Sequence, residues 1–551
     1  MKKHLIKSVI LLSAVVLSAT SCKKLIDEAY RNPNADVRVP VESLMPNLIG
    51  AMACNHAGHG PINDARYVGQ YVGYWHFVNT LSPFDRFGHI LSAADVAQST
   101  WRSHYYDIGQ NCIKMIEWAE DEKKWDYAGA GKAILAHSWL QLTDYYGDVI
   151  FKEAFNTNQI TFQFDEQPVV YDGVRKLCFE ALDLLNRTGD GVSQANLAKG
   201  DAYFYNGDVN KWKKFVYAIL ARSYNHLTNK NDYKPDSVIK YCDLAMQTND
   251  ENGMVRFANS GISGTANFFG PLRGNLAGAG VTAPTAIRQS SYIANLMNGT
   301  NPEFSGVEDP RAWYMLRGNA NGTIRGVDRN RGQSALAAND RPESFWGVAQ
   351  TTAINNAAPA NDANCRYIFR NDGPMPVITA SEVQFMKAEA ALIKGDRNTA
   401  LAAYRKGIEL NFDMLTTVYN RAIPAGKEIT TAVRDAYLAQ PSVMPNAAGL
   451  TRTKIMLQKY IAQYGFGALE TWVDMRRYHY TDLDPQTGEQ VFRGFAVPTG
   501  TDLFEDNAGK SVVYRYRPRF NAEYVWNLNE IKRIGADKND YHLKECWFSI
   551  K

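Results

Sequence analysis

The stretch Ser381–Leu410, SEVQFMKAEAALIKGDRNTALAAYRKGIEL, decides how this chain folds. Small residues such as Ala388, Ala400 and Gly407 recur along it at helical spacing, so two helices can approach each other closely there. Gly395-Asp396 interrupts the pattern and supplies a turn. The stretch therefore predicts two antiparallel helices that pack through their small residues.

These residues, together with Ala391 and Tyr404, lie at the offsets used by tetratricopeptide repeats. One helical pair cannot bury its own apolar face, so further hairpins must stack on it. Apolar residues at helical spacing mark two candidates, residues 124–146 with 171–186 and residues 209–228 with 236–248. We predict an all-α, mainly helical fold with tetratricopeptide-like helical hairpins.

The helical periodicity disappears between about residues 250 and 375, where Gly, Asn, Ala and Pro dominate. Long ordered loops usually carry function, and the aromatic residues in this one argue against disorder. A second irregular region, 484–526, contains short β-like runs such as Ser511–Tyr516. We expect a large irregular loop layer with minor β structure, resting on the helices.

The N-terminus has the pattern of an export signal. Three lysines precede the apolar run Val9–Leu17, and small and hydroxyl residues lead to Cys22. The segment Leu17–Cys22 resembles a bacterial lipobox, in which the cysteine is lipidated, for example with palmitate, and becomes the mature N-terminus. The run is shorter than the roughly 20 residues that span a bilayer. We expect residues 1–21 to be a lipoprotein signal peptide and Cys22 the lipid anchor; a secreted protein in which Cys22 is incidental is the alternative.

Charge and cysteine content narrow the function further. Removing residues 1–21 takes the formal net charge from +3 to 0, which argues against nucleic-acid binding through a basic surface. The remaining cysteines have wide, irregular spacings, so we expect most of them to be free and buried. They are Cys54, Cys112, Cys178, Cys242, Cys365 and Cys546.

Motifs of catalysis and metal binding are largely missing. The chain has no H-E-x-x-H, G-x-S-x-G or phosphate-loop sequence, so we expect no enzyme, no catalytic residue and no cofactor. A pair of glycosidase carboxylates is not excluded by sequence. Cys54–His59 offers three soft ligands without a fourth nearby, so we expect a polar loop there and no metal site. The charged motifs Asp309–Arg311 and Arg476-Arg477 are interpreted as scaffold.

The segment Tyr67–Phe87, YVGQYVGYWHFVNTLSPFDRF, is the best candidate for a binding site. Its rings are too dense for one buried face, and polar side chains stand beside them, as a glycan site requires. The alternative is a set of aromatic side chains packed under a loop. With the ring pairs of the loop layer, the predicted ligand-binding residues are Trp75, Tyr74, Tyr71, Asn79, Arg86, Phe345, Trp346, Phe268 and Phe269.

Several segments, in this order, resemble the SusD/RagB family of outer-membrane nutrient-binding lipoproteins of the Bacteroidetes. They are the lipobox with Cys22, Asn32–Asn34, Leu142–Val149 (LTDYYGDV), Lys211–Phe215 (KWKKF), Asp309–Arg311, Glu382–Ala391 and Glu470–Arg477 (ETWVDMRR). The resemblance implies a single SusD-like domain over residues 22–551. Its helical scaffold would cover about 40–250 and 376–480, and its loop-rich ligand layer about 60–95 and 250–375.

The resemblance also implies a function. The chain would be a lipid-anchored protein of the outer membrane, exposed on the cell surface, that binds an oligosaccharide and delivers it to a SusC-type TonB-dependent transporter. Two other functions stay open at this point. One is a peptide-capturing lid of a peptide importer, and the other is a protein-interaction scaffold without a small ligand.

Overall fold

The structure, a computed structural model, describes residues 38–53, 64–80, 82–89, 99–277, 286–510 and 512–551. Three features singled out in the sequence lie outside these residues. They are the signal peptide with Cys22, the motif Asn32–Asn34 and the segment Cys54–His59.

Helices make up most of the regular structure, as the sequence predicts. The α-helices are α1 (Val41–Ala53), α2 (Asp64–Tyr71), α3 (Ser99–Arg102), α4 (Asn111–Asp121), α5 (Trp125–Tyr146), α6 (Gln167–Leu185), α7 (Gln194–Asp201), α8 (Val209–Asn225), α9 (Pro235–Leu244), α10 (Ser291–Met297), α11 (Ala312–Met315), α12 (Ala380–Lys394), α13 (Arg397–Val418), α14 (Thr431–Leu438), α15 (Arg452–Ala462), α16 (Ala468–Arg477) and α17 (Leu528–Ile534). Two π-helical segments, Ser103–Gln110 and Phe520–Tyr524, accompany them.

The hairpin predicted from Ser381–Leu410 is formed by α12 and α13. Thr379 caps α12 by accepting a hydrogen bond from the backbone N–H of Glu382 at 3.2 Å. Gly395 ends the helix in the left-handed conformation, with φ of 91°, and Asp396 caps α13. A side chain at Gly407 would meet the Phe385 ring at 3.0 Å, so the glycine allows the close approach of the two helices. This prediction is confirmed.

The other two predicted hairpins are present as α5 with α6 and α8 with α9. Successive helices pack side by side from α4 through α5, α6, α8, α9 and α12 to α13, so each hairpin covers an apolar face of its neighbour. Asp208 caps α8 by accepting from two backbone N–H groups, and Gly147 follows α5 with φ of 77°. The helices form a stacked array whose buried side chains join one core.

The loop layer carries the strands. They are β1 (Trp75–Phe77), β2 (Gly253–Val255), β3 (Ile287–Gln289) and β4 (Met375–Ile378). β1 pairs with β3 and β2 with β4, both antiparallel, so each sheet ties distant parts of the chain together. The predicted β-like run Ser511–Tyr516 forms no strand in its described part, residues 512–516. Tyr514 and Tyr516 instead donate single backbone bonds to His542 and Tyr145.

Two further features can be read from the described residues. Cys112, Cys178, Cys242, Cys365 and Cys546 are free and buried, as predicted for most of the cysteines. Within the described ranges, no helix combines the length and the apolar character needed to cross a bilayer.

The turn glycine of the α12–α13 hairpin gives a stability prediction. We expect Gly395→Ala to lower the free energy of unfolding by about 1 kcal/mol, because its φ is positive while no atom crowds the added methyl group. The matched control is Gly50→Ala inside α1, where the site is equally open and φ is not positive. There we expect a gain of up to about 1 kcal/mol. Urea unfolding measures both, and effects of the same sign would contradict the prediction.

Candidate functional site

The predicted platform ring Trp75 lies in the core, fully buried. Its indole N–H donates to the carbonyl oxygen of Arg66 at 2.7 Å, and its ring lies so close to Gly69 that no side chain would fit there. The rings of Phe269 and Phe345 lie steeply inclined to it, with centroid distances of 6.5 and 6.3 Å, and the indole has no exposed surface. Both faces are therefore covered by protein.

The two tyrosines beside it are buried as well. Tyr74 donates to the carbonyl oxygen of Tyr460 at 2.9 Å, and its hydroxyl lies 2.6 Å from Thr471 Oγ1. Tyr71 donates to the carbonyl oxygen of Gly88. These hydrogen bonds satisfy the phenol groups inside the protein, and burial raises the pKa of Tyr74 above its usual value.

The ring pairs of the loop layer are also buried. Phe345 stacks on Phe369 at 4.5 Å, and Trp346 donates from its indole to the carbonyl oxygen of Phe269 at 2.7 Å. Phe268 packs against Phe269, and all four predicted rings are at most 3% exposed. They join the loop layer to the helical core.

A stacking platform needs a ring face open to solvent, so this burial contradicts the assignment of seven aromatic residues to a glycan site. They are Trp75, Tyr74, Tyr71, Phe345, Trp346, Phe268 and Phe269. The alternative of aromatic side chains packed under loops is the one that the structure supports. The physical reason is that the irregular layer contains few amphipathic helices. Aromatic side chains therefore supply most of the apolar surface that is buried in its core.

The two polar residues of the predicted site remain near the surface. Asn79 is half-buried and accepts from the backbone N–H of Thr80 at 2.9 Å. Arg86 donates to Glu505 at 2.8 Å and to the carbonyl oxygen of Leu503 at 2.7 Å. Arg86 thus fixes its own turn to a C-terminal segment, and a role in ligand binding stays a prediction for both.

An exposed tryptophan lies elsewhere, at Trp526, between the π-helical segment Phe520–Tyr524 and α17. Its side chain is 67% exposed and makes no ring contact or hydrogen bond within the described part of the chain. It borders a groove with two lobes of about 420 and 490 Å³. We call this the Trp526 groove and define it by the side chains used below, Glu153, Gln159, Phe162, Glu523, Trp526, Asn527 and Glu530.

Asn527 holds the two walls of the groove together. Its amide donates to the carbonyl oxygen of Phe162 at 2.8 Å and accepts from the Phe162 N–H at 3.3 Å. Glu530 accepts from the Phe164 N–H at 3.0 Å, and Arg533 donates to the Phe164 carbonyl oxygen at 2.8 Å. Side chains of the C-terminal segment therefore form hydrogen bonds with the backbone at 162–164, as a neighbouring strand would. These bonds hold the segment that carries Trp526 in place as a ledge beside the groove.

Carboxylates and amides surround the ring. Glu153 accepts from the Gln159 amide at 3.0 Å and from the Gln163 N–H at 2.7 Å, both through one oxygen. Glu523 is 7% exposed, and its burial raises its pKa against the effect of a hydrogen bond from Asn527. The pKa of Glu530 is lowered because Arg533 donates to it. An open indole face beside fixed acceptors and donors suits a sugar, whose C–H face stacks while its hydroxyls are bonded.

A second cleft, of about 400 Å³, contains Trp313. Trp313 is half-buried on the cleft wall. The ammonium of Lys427 lies 4.6 Å from the centroid of its ring. Because the Trp313 ring already interacts with this cation, the Trp526 groove is the better candidate for a stacked ligand.

Sequence reasoning missed Trp526. Its segment, Asn521–Glu530 (NAEYVWNLNE), lies largely in the second irregular region, but its exposure depends on contacts between Asn527 and Phe162, 365 residues apart. The available signal was a tryptophan flanked by Val525 and Asn527 without apolar partners at helical spacing. That signal identifies an exposed ring only weakly.

Comparison with known proteins shows which folds this chain is similar to. Residues 33–499 match the model of a SusD-like family described as starch-binding and associating with the outer membrane. A SusD homologue from Bacteroides fragilis superimposes with a TM-score of 0.65 at 18% identity, over 93% of this chain and 100% of the other. A chitin-binding SusD homologue from Flavobacterium johnsoniae gives 0.64 at 16% identity, over 93% and 99%. At such identities the likeness shows the fold alone, and no curated protein matches the chain significantly in sequence.

Proposed function

The chain belongs to the SusD-like family, and from this membership we propose that it is a surface lipoprotein that binds an oligosaccharide in the Trp526 groove. The observation that carries the proposal is the open indole of Trp526, held on a ledge fixed by Asn527 and lined with amide and carboxylate groups. The chitin-binding of some solved relatives supports a sugar as the ligand class.

Binding in this proposal involves no covalent step. The ring supplies a stacking face, and side chains such as Gln159 and Glu153 read hydroxyl groups beside it. Because hydrogen bonds join the walls before any ligand arrives, the protein loses little conformational entropy on binding. We further propose that Cys22 carries a lipid that anchors the protein to the outer membrane at the cell surface. There it would pass its ligand to a SusC-type TonB-dependent transporter.

The test is calorimetric titration of the mature chain, residues 22–551, with neutral oligosaccharides such as a chitin hexamer and a maltose heptamer. We expect one of them to bind and Trp526→Ala to weaken that binding at least about tenfold, equivalent to about 1.4 kcal/mol of lost stacking. The matched control is Tyr203→Ala, which removes a ring of similar exposure, 58%, away from the groove. Its affinity should equal that of the unmodified chain.

Helical circular dichroism of both variants should be unchanged, because neither side chain belongs to the core. Full affinity in the Trp526→Ala variant would remove the groove from the binding site. Binding of peptides with no binding of any sugar would overturn the proposed function in favour of peptide capture.

A further inference from the structure

The charges of the Trp526 groove are one-sided. Among the described residues, those that line its two lobes include three carboxylates, those of Glu153, Glu523 and Glu530, and no Lys, Arg or His. Neutral amides and hydroxyls, including Gln159 and Asn527, make up the rest of its polar lining. The charged side chains that a ligand meets in the groove are therefore all acidic.

Two of the three carboxylates are partly neutralised by other groups. Glu530 forms an ion pair with Arg533, with N–O distances of 2.7 to 2.9 Å. Glu523 is almost fully buried and bonded by Asn527, and Arg519 acts on it as an opposing positive charge. Neither carboxylate is well placed to pair with a ligand.

Glu153 differs from both. Its two hydrogen bonds, from Gln159 and from the Gln163 N–H, go to Oε2, so Oε1 has no partner within the described residues. The neighbouring lysine, Lys152, lies 3.5 Å from Asp165 and pairs with that residue. The Glu153 carboxyl thus stands half-buried on the groove wall, where attraction to a cation is stronger than in open solvent.

We propose that the Trp526 groove selects its sugar by charge: it prefers oligosaccharides with free amino groups, through an ion pair with Glu153, and disfavours those built from uronic acids. This inference rests on the proposed function and adds a ligand class to it. The sugar ring stacks on Trp526 while its ammonium donates to Glu153 Oε1. A uronate carboxylate at the same position would be repelled by Glu153, and the described residues of the groove wall offer it no cation.

The experiment compares hexamers of glucosamine, N-acetylglucosamine and galacturonic acid by calorimetry on the mature chain. It is run in slightly acidic buffer, where the glucosamine nitrogen is protonated. We expect about tenfold tighter binding of the glucosamine hexamer than of the N-acetylated one, and the weakest binding for the uronate. Added salt should narrow the difference, because it screens charges at a half-open site.

The decisive variant is Glu153→Gln, which keeps an oxygen to accept from Gln159 and the Gln163 N–H while removing the charge. It should bind the glucosamine and N-acetylglucosamine hexamers equally. Glu117→Gln, an exposed acid of α4 paired with Lys114, is the control and should keep the preference.

The two possible failures can be distinguished. If the N-acetylated hexamer binds in a Trp526-dependent way but the glucosamine hexamer binds no better, the charge selection is wrong and the proposed function stands. If none of these hexamers binds but the maltose heptamer binds in a Trp526-dependent way, the charge selection is again wrong and the proposed function stands. If no oligosaccharide binds, or if Trp526→Ala changes nothing, the proposed function fails and the inference fails with it. Retention of the preference in Glu153→Gln would also overturn the assignment to Glu153.

Discussion

Replacing Arg477 with methionine is expected to lower the free energy of unfolding by about 3–5 kcal/mol. Arg477 is fully buried at the end of α16. Its guanidinium donates to both carboxylate oxygens of Glu389 on α12, at 2.9 and 3.1 Å, and to Asp474 at 2.5 Å. Removing the cation leaves Glu389 buried without its ion-pair partner and leaves Asp474 with Lys459 alone, and that is where most of the loss arises.

The pair belongs to a larger buried polar network. Asn225 at the end of α8 donates to Glu389 at 2.9 Å, and Lys459 on α15 lies 2.8 Å from Asp474. Four helices of the scaffold thus meet in one buried polar network. Urea unfolding at neutral pH, followed by circular dichroism, measures the change.

Two variants control the measurement. Arg331→Met removes a surface arginine whose side chain is 54% exposed and pairs with Asp502, so it should cost less than about 1 kcal/mol. The double variant Arg477→Met with Glu389→Gln removes charge from both partners and should recover part of the loss, because fewer unpaired charges remain buried. A loss below about 1 kcal/mol in Arg477→Met would contradict the prediction.

The helices joined by this ion pair show what the sequence could predict about the fold. Small residues such as Ala388 and Gly407 indicate close helix packing, and this local signal located the α12–α13 hairpin correctly. The pattern at Arg476-Arg477 predicts a scaffold role, and both side chains are buried. The partner Glu389, however, is 88 residues away, and no local pattern identifies it.

The candidate site was less predictable, for a physical reason. Aromatic density around Trp75 indicates either a core or a binding surface, and the choice depends on which segments cover the rings. That cover comes from distant residues such as Phe269 and Phe345. Trp526 owes its exposure to the equally distant bonds between Asn527 and Phe162. Sequence patterns of short range therefore predict the helices and their caps but not which ring faces solvent.

Acid is expected to destabilise the protein through Glu389, by about 3 kcal/mol between pH 4.5 and pH 2. Burial alone would raise the pKa of this carboxyl, but the charge of Arg477 and the bonds that it donates outweigh burial and hold the pKa at about 2, against an ordinary value of 4.5. In the unfolded chain the group binds its proton near pH 4.5. Its contribution is thus complete above that pH and is lost as the pH falls through the folded value.

Asp144 on α5 should act in the opposite sense. Its burial raises its pKa from 3.8 to about 6, in spite of the charge of His226 and a hydrogen bond from Tyr171. Between those values the folded state holds a proton that the unfolded state has released. The contribution of Asp144 is therefore complete below about pH 3.8 and is lost as the pH rises through 6.

The two carboxyls can be separated by a pair of matched variants. The difference in unfolding free energy between the unmodified chain and Glu389→Gln should shrink by about 3 kcal/mol as the pH falls from 4.5 to 2, because the native glutamate then becomes neutral as well. The difference between the unmodified chain and Asp144→Asn should instead shift against the unmodified chain as the pH rises from 3.8 to 6. If the difference for Glu389→Gln instead shifts against the unmodified chain as the pH rises, as expected for Asp144→Asn, burial outweighs the charge of Arg477 and Glu389 is not held ionised inside the folded protein.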